Sequence, residues 1–118
     1  MHKVENLKIW KKAIELAKSI YLLASELPSE EKYGLVSQIK RCSVSIPSNI
    51  AEGCSRNSEI EFKRFLEIAM GSLFEVETQL TITQELGFIQ SDELKIIFGL
   101  LQKEAKMING LIRKIKGS

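Results

Sequence analysis

Residues 33–56 read YGLVSQIKRCSVSIPSNIAEGCSR, and their spacing is that of an α-helix with an unusual composition. One stripe is apolar, with spacings of three and four residues, and consists of Leu35, Ile39, Cys42, Ile46 and Ile50. A second stripe, roughly opposite, is polar and consists of Ser37, Arg41, Ser45, Ser48 and Glu52. Serine is a mediocre helix former, so small polar side chains are not typical of a solvent-facing stripe. They predict close approach by another helix or by a bound partner.

Pro47 lies inside this stretch and cannot donate a hydrogen bond to the carbonyl of Ser43. A new helix that began at Pro47 would be capped by Ile46, which is a poor capping residue. We therefore expect one continuous, kinked helix that ends near Gly53.

Three further segments have helical spacing, and short connections separate all four. The third helix is expected to begin at Asn57 or Ser58, which are good caps, and to end at Gly87. The fourth is expected to begin at Ser91. The predicted helices cover residues 7–26, 34–53, 58–86 and 91–116. Short connections between four helices predict an all-α, antiparallel up-down-up-down four-helix bundle, formed as a single domain by residues 1–118.

The first helix is apolar around more than half of its circumference. Its main seam is Trp10, Ala13, Ala17, Ile20, Ala24 and Leu27, with Ile9, Leu16 and Leu23 beside it and Leu7, Ile14 and Tyr21 as a third line. This arc spans roughly 200°, against about 100° for a helix that faces one core. Either the helix lies deep in the bundle, or another copy of the chain buries one flank, with Ile9 and Leu16 as candidates. A bundle of this size has no central helix, so we favour a homo-oligomer.

Glu104 interrupts the apolar seam of the fourth helix. The other members of that seam are Leu94, Ile97, Leu101, Ile108, Leu111 and Ile115. The carboxyl group lies either at the edge of the seam or inside the core, where it would need a cation as partner. The spacing alone leaves both positions open.

The composition excludes several classes of protein. The chain has 118 residues, of which 44% are hydrophobic, enough for a core. Its longest uncharged run, residues 42–51, contains serines, an asparagine and a proline, which excludes a membrane span. The N-terminal residues MHKVENLKIW contain no apolar signal core, so we expect a cytoplasmic protein with no membrane partner.

The two cysteines predict neither a disulfide nor a metal site. On one helix Cys42 and Cys54 would lie roughly 18 Å apart, which is beyond disulfide reach. Neither has a CxxC partner, and the single histidine is His2. We expect two reduced cysteines that pack as small apolar side chains, no bound metal and no cofactor.

The predicted bundle brings ten cations to one end, although the net charge is only +2. They are Lys3, Lys8, Lys11, Lys12, Arg56, Lys63, Arg64, Arg113, Lys114 and Lys116, diluted by Glu5, Glu52, Glu59 and Glu61. Helix four has a basic side of its own, with Lys95, Lys106, Arg113 and Lys116. Part of this charge is expected because the helix dipole favours cations near a C-terminus. The remainder predicts a phosphate-binding surface. Its candidates are Lys106, Arg113, Lys114 and Lys116, followed by Lys8, Lys11 and Lys12.

The chain also resembles a known family. The segments LKIWKKAIELAKSIY (7–21), YGLVSQIKRCSVSIPSNIAEGCSR (33–56) and EFKRFLEIAMGSLFEVETQL (61–80) are similar to bacterial four-helix-bundle proteins first noticed as reading frames within intervening sequences of 23S ribosomal RNA. The resemblance implies an antiparallel four-helix bundle that assembles as a ring-like homopentamer. It also implies a distant relationship to the accessory protein of diversity-generating retroelements, which binds nucleic acid and a reverse transcriptase. The family's characteristic polar positions fall on Arg41, Ser45, Asn49, Glu52, Arg56, Ser72 and Glu75.

Three classes of function are compatible with these patterns. The first is a non-catalytic oligomeric adaptor that binds structured RNA, or a protein that handles RNA, through the basic end and helix four. The second is a structural protein–protein module with no role in nucleic-acid binding. The third, a small ribonuclease, is remote because acid–base cleavage would use an Arg and a His on one helix, and the only histidine is His2. A metal-dependent nuclease would need clustered carboxylates. Glu52, Glu61 and Glu75 could in principle converge, but Glu52 and Glu61 flank helix ends, where capping explains them. We therefore expect no catalytic residues.

Overall fold

The structure, a computed structural model, describes residues 2–90 and 92–117, with residues 116 and 117 described by their backbone alone. A short 3-10 helix (Val4–Asn6) precedes α1 (Lys8–Ala24), and a second (Ser29–Glu31) precedes α2 (Leu35–Cys54). The chain continues with α3 (Glu59–Glu85) and α4 (Asp92–Gly117). The fold is all-α, with four long helices and no strand in the described part of the chain. Each helix begins and ends within two residues of the range expected from the sequence.

The four helices enclose one apolar core. Each packs against the next one along the chain, and α1 also packs against α4, while α2 and α3 share the most extensive contact. The core takes side chains from all four, among them Ile20, Ile39, Phe62, Leu66 and Leu101, each with no exposed surface. No helix in residues 2–90 and 92–117 is long and apolar enough to cross a bilayer.

Pro47 lies within a single continuous helix, as expected. It is buried, and α2 runs through it from Leu35 to Cys54. One turn earlier Ser43 is also buried, and its hydroxyl donates to the carbonyl of Lys40 over 2.9 Å. A hydroxyl that bonds its own helix in this way needs no other partner, so Ser43 is tolerated in the core.

Local chemistry explains both ends of α3. Ser58 is the cap, because its hydroxyl accepts a hydrogen bond from the Glu61 amide over 3.0 Å. Gly87 follows the last turn with a φ of 73°, a conformation that suits glycine. Ser91, the expected cap of the fourth helix, lies outside the described residues.

Most of the wide apolar arc of α1 is buried by other helices of the same chain. Ile9 and Leu16 are buried in the core of the bundle, so the expectation that they face another copy is wrong. Trp10, expected in the main seam, is only half-buried against that core. The physical reason is that α1 packs on both α2 and α4 and therefore buries two flanks rather than one. Only the edge that contains Tyr21 stays open to solvent.

Candidate functional site

A groove lined by lysines runs between α1 and α4, with a volume of about 540 Å³. Its walls are Lys8, Lys12, Glu15, Leu16 and Ser19 from α1, and Leu100, Lys103, Glu104, Lys106 and Met107 from α4. The spacings of three and four residues place each set on one face of its helix. We call this cavity the lysine groove. Its volume falls within the usual range for a small-molecule pocket, roughly 300–1,000 Å³.

The rim of the lysine groove is positively charged. Lys8, Lys12, Lys103 and Lys106 are exposed, and Glu15 is the exposed acid beside them. Lysine ammonium groups on flexible stems bind phosphate as point charges, without a fixed geometry. The floor is partly apolar because Leu16 and Met107 contribute to it. The groove therefore combines cations at its edge with an apolar surface below them.

Glu104 lies at this groove and is buried, with 1% of its surface exposed. Neither carboxyl oxygen has a hydrogen-bond partner among the residues that the structure describes. Burial raises the pKa of the Glu104 carboxyl to about 7, and the positive charge of Lys12 partly opposes that rise. Of the two positions that the sequence left open, Glu104 takes the buried one. The sequence predicted a cation as the partner of a buried Glu104. Among the described residues Lys12 is close enough to act on its charge, but no cation is hydrogen-bonded to the carboxyl group.

The structure brings together only some of the residues predicted to bind nucleic acid. Lys8, Lys12 and Lys106 share the lysine groove, whereas Lys11 is exposed but does not line it. Arg113 and Lys114 are exposed further along α4. Arg113 follows Lys106 by two helical turns, so it lies about 10 Å further along the same side. The side chain of Lys116 lies outside the described part.

Lys103 is a lining residue that the sequence did not single out. It stands three positions before Lys106 and directly before the interrupting Glu104. Spacing of three places Lys103 and Lys106 side by side on a helix. The signal was therefore present, but only the packing of α1 against α4 shows that both residues border one cavity with Lys8 and Lys12.

Part of the predicted polar group connects α2 to α3. The hydroxyl oxygens of Ser45 and Ser72 lie 2.7 Å apart, within one hydrogen bond. The Asn49 amide donates to the Ser45 carbonyl over 2.8 Å and to the Ser45 hydroxyl over 2.9 Å. The bond between Ser45 and Ser72 joins the two helices where their side chains are small, and the Asn49 bonds hold Ser45 within α2.

The other members of that group are more exposed. Arg56 forms an ion pair with Glu52 over 2.9 Å, and its guanidinium lies 4.9 Å from the centre of the Phe65 ring. Arg41 and Glu75 are both exposed. The sequence placed Arg41, Ser45 and Glu52 on one polar stripe. In the described part of the chain Ser45 bonds to α3, whereas Arg41 and Glu52 are exposed.

The cysteines are free and half-buried, as expected. The Gln79 amide nitrogen lies 3.5 Å from the Cys42 sulfur. Burial raises the pKa of both thiols, and the negative charge of Glu75 contributes to the rise for Cys42. A raised pKa keeps a thiol protonated and therefore weakly reactive.

A second groove, between α1 and α2, is almost entirely apolar and has a volume of about 520 Å³. Its lining residues are Ile14, Ala17, Lys18, Tyr21, Leu22, Val44 and Pro47, and we call it the apolar groove. Leu22 is 75% exposed, which is unusual for a leucine beside other exposed apolar groups. Lys40 stands 4.9 Å from the centre of the Tyr21 ring, at the polar edge of this surface.

No group of three or more His, Cys, Asp or Glu side chains in residues 2–90 and 92–117 is arranged to hold a metal ion. Two of the three carboxylates considered for a nuclease are engaged in local contacts. Glu52 pairs with Arg56, and Glu61 lies 4.0 Å from Arg64. The lysine groove is thus the described surface best suited to an anionic ligand.

Known proteins resemble this chain in both sequence and fold. The family model described as "23S rRNA-intervening sequence protein" matches residues 5–110, which is most of the chain. The chain belongs to the 23S rRNA-intervening sequence protein family. Among solved structures, a match is a protein of unknown function from the S23 ribosomal protein family of Bacteroides thetaiotaomicron, 26% identical, with a TM-score of 0.81. The alignment covers 89% of this chain and 95% of that one. A search of curated proteins found no match.

Proposed function

We propose that this 23S rRNA-intervening sequence family protein is a non-catalytic, oligomeric adaptor that binds structured RNA through the lysine groove. The observation that carries the proposal is the convergence of four exposed lysines from two helices on one cavity. Arg113 and Lys114 extend this positive surface along α4. The family name connects its members to ribosomal RNA sequences, which is consistent with an RNA partner.

The proposal includes an antiparallel order of neighbouring helices. For α2 and α3 it is supported by pairs of contacting residues. Cys42 meets Gln79, and Gly53 approaches Phe62, so residue numbers rise along one helix as they fall along the other. In this order the start of α1 and the end of α4 come together, which concentrates Lys8, Lys11 and Arg113 at one end of a molecule 46 Å long.

Phosphate contacts give affinity without reading bases, so binding should depend on RNA shape and on salt rather than on sequence. One subunit offers few such contacts, and several copies would raise the affinity by multivalency. The double variant Lys8→Glu/Lys106→Glu should bind labelled structured RNA more weakly than wild type. Affinity is measured between about 50 and 200 mM salt. The negative slope of log affinity against log salt should become shallower by about 2, because two lysines no longer neutralise a phosphate each.

The matched control is Lys32→Glu/Lys95→Glu, which changes the net charge by the same amount at exposed lysines outside both the lysine groove and the apolar groove. It should retain the wild-type slope. Lys106→Glu/Arg113→Glu/Lys114→Glu tests the extension of the surface along α4 and should also weaken binding. If the groove variant and the control weakened binding equally, net charge alone would explain the effect, and the lysine groove would not be the binding site. No binding by wild type at low salt would refute an RNA-binding role.

The assembly is the second part of the proposal, and the candidate contact is the apolar groove rather than the flank with Ile9 and Leu16. A ring needs two different surfaces on each copy that fit one another. The apolar groove is one of them. The exposed apolar residues of α3 supply the other, and they are Ile60, Ile68, Phe74 and Ile82. We propose a second copy as the occupant, and a ring of five as the closed form.

Sedimentation equilibrium at micromolar concentration should give a mass near five times the 13.4 kDa of one chain. Leu22→Glu should shift the mass toward one chain and leave helicity unchanged, because the side chain is 75% exposed within the monomer. Leu86→Glu, which changes an exposed leucine outside the apolar groove, should leave the assembly intact. A wild-type mass of one chain would contradict the proposal.

The alternative function is a protein–protein module without a nucleic-acid role. The observation in its favour is the same apolar groove, which is nearly devoid of polar surface. In that case wild-type protein would form its ring, and RNA binding would be absent at low salt. The two experiments above therefore distinguish the alternative from the adaptor.

A further inference from the structure

Glu104 has no role in phosphate binding, yet it occupies the wall of the groove that we propose binds RNA. A buried carboxyl with two unpartnered oxygens is unfavourable, because its lost hydration is not replaced. Groups held in such positions are frequent at binding and catalytic sites. The two oxygens accept hydrogen bonds once the group is ionised, so a group that pairs with both of them must offer two donors.

The surroundings narrow the identity of that donor. Lys8, Lys12, Lys103 and Lys106 surround the groove, so a cationic ligand would be repelled while an anionic one is attracted. Leu100 and Met107, which also line the groove, provide an apolar surface for a flat ring. The ligand should therefore combine a negative group, an apolar ring and an edge of hydrogen-bond donors. A nucleotide has all three.

Guanine is the base whose edge fits a carboxylate. Its ring N1–H and its exocyclic amino group are adjacent donors, which match two carboxylate oxygens side by side. The amino groups of adenine and cytosine are adjacent to a ring nitrogen that accepts, and the N–H of uracil lies between two carbonyls. In each of these bases an acceptor atom would therefore face the second carboxylate oxygen, and two acceptors repel one another. Unpaired bases in RNA are commonly recognised along this edge.

We infer that the lysine groove takes a guanine nucleotide, with the phosphate on the surrounding lysines. The base pairs with Glu104 once that side chain, whose oxygens are covered in the free protein, turns into the groove. This inference rests on the proposed RNA-binding function and adds a base preference to it, with an unpaired guanine in RNA as the source. A free guanine nucleotide offers the same chemistry, so the experiment includes both forms.

The first arm compares guanosine monophosphate with inosine monophosphate, which lacks only the exocyclic amino group. Titrations of the full chain are followed by NMR at about pH 8, above the pKa of about 7 that burial gives Glu104. Loss of one of the two hydrogen bonds should weaken binding about tenfold, since a bidentate contact discriminates between bases by roughly that factor or more. Adenosine and uridine monophosphates should bind no better than inosine monophosphate.

The second arm uses Glu104→Gln, whose amide presents one donor and one acceptor and so cannot pair with both guanine donors. It should bind the guanine and inosine nucleotides equally. Glu26→Gln, which removes an exposed carboxylate outside the groove, should retain the preference. The wild-type comparison of two ligands needs no variant and stands even if Glu104→Gln fails to fold.

The third arm uses a short uridine-rich RNA with one central guanosine, against the same RNA with inosine at that place. A preference for guanosine there supports RNA as the source. A preference for guanosine monophosphate without any RNA binding would support the guanine site but refute the RNA-binding function. Equal binding of the guanine and inosine ligands by wild type, with salt-dependent RNA binding intact, would overturn the inference and leave the proposed function standing.

Discussion

Replacing Gly53 by alanine should destabilise the protein by about 1–3 kcal/mol, the usual range for an overpacked core. A Cβ atom at this position would lie 2.9 Å from the Phe62 ring and 2.9 Å from the Phe65 Cβ. The second contact is the more severe, because a Cβ is fixed to its backbone and cannot rotate away. Phe62 is fully buried, so its ring has no free space to enter. The crossing of α2 and α3 would have to widen to accommodate the methyl group.

Gly71→Ala is the matched control, since Gly71 also lies inside a helix but a Cβ there would meet nothing within 4 Å. That change should stabilise the protein by about 0.5–1 kcal/mol, because alanine favours the helix more than glycine does. Thermal or urea unfolding is measured at equal chain concentration, since assembly adds to apparent stability. Equal effects of the two substitutions would show that the close approach of α2 and α3 at Gly53 is not required.

The sequence predicted a close neighbour along this helix, either another helix or a bound partner, and in the structure α3 is that neighbour at Ser45. Residues with small side chains, such as Ser45, Asn49 and Gly53, occur where helix formers with long side chains would be expected. Such residues are unfavourable in an isolated helix, so their presence indicates a neighbour at short range. That neighbour is α3, because Ser45 of α2 forms a hydrogen bond with Ser72 of α3. The continuity of α2 through Pro47 was also predictable, because Ile46 would be a poor cap for a new helix that began at Pro47.

The candidate site was less predictable, because it depends on how helices are paired. Charge counts indicated a basic surface on α4, but they did not show that Lys103 and Lys106 face Lys8 and Lys12 across a cavity. Likewise, the width of the apolar arc on α1 did not reveal that Ile9 and Leu16 are covered by the same chain. A helical pattern gives the direction of a side chain around its own axis, not the element that it meets.

The stability of the wild-type protein should fall as the pH rises from about 4.5 to 7, through the ionisation of Glu104. Burial raises its folded-state pKa from the ordinary value of 4.5 to about 7. The folded state therefore binds the proton more tightly than the unfolded state, and the stabilisation is fully present below the unfolded pKa. It is lost as the pH rises through the folded pKa. The loss is on the order of 3 kcal/mol, because a pKa difference of one between the two states corresponds to about 1.4 kcal/mol.

Glu104→Leu should remove this dependence and make the protein more stable than wild type at about pH 8, with a smaller difference at about pH 4.5. Leucine fits because the position is 1% exposed and lies in the apolar seam of α4. Unfolding by urea is measured across this pH range for wild type, Glu104→Leu and Glu15→Gln, the last of which retains Glu104 and hence its slope. The charges that face Glu104 in the groove are Lys8, Lys12 and Glu15 from α1, with Lys103 and Lys106 from its own helix. If Lys12 instead paired closely with the ionised carboxylate in solution, wild type would keep its stability up to pH 8, and leucine would confer no advantage there.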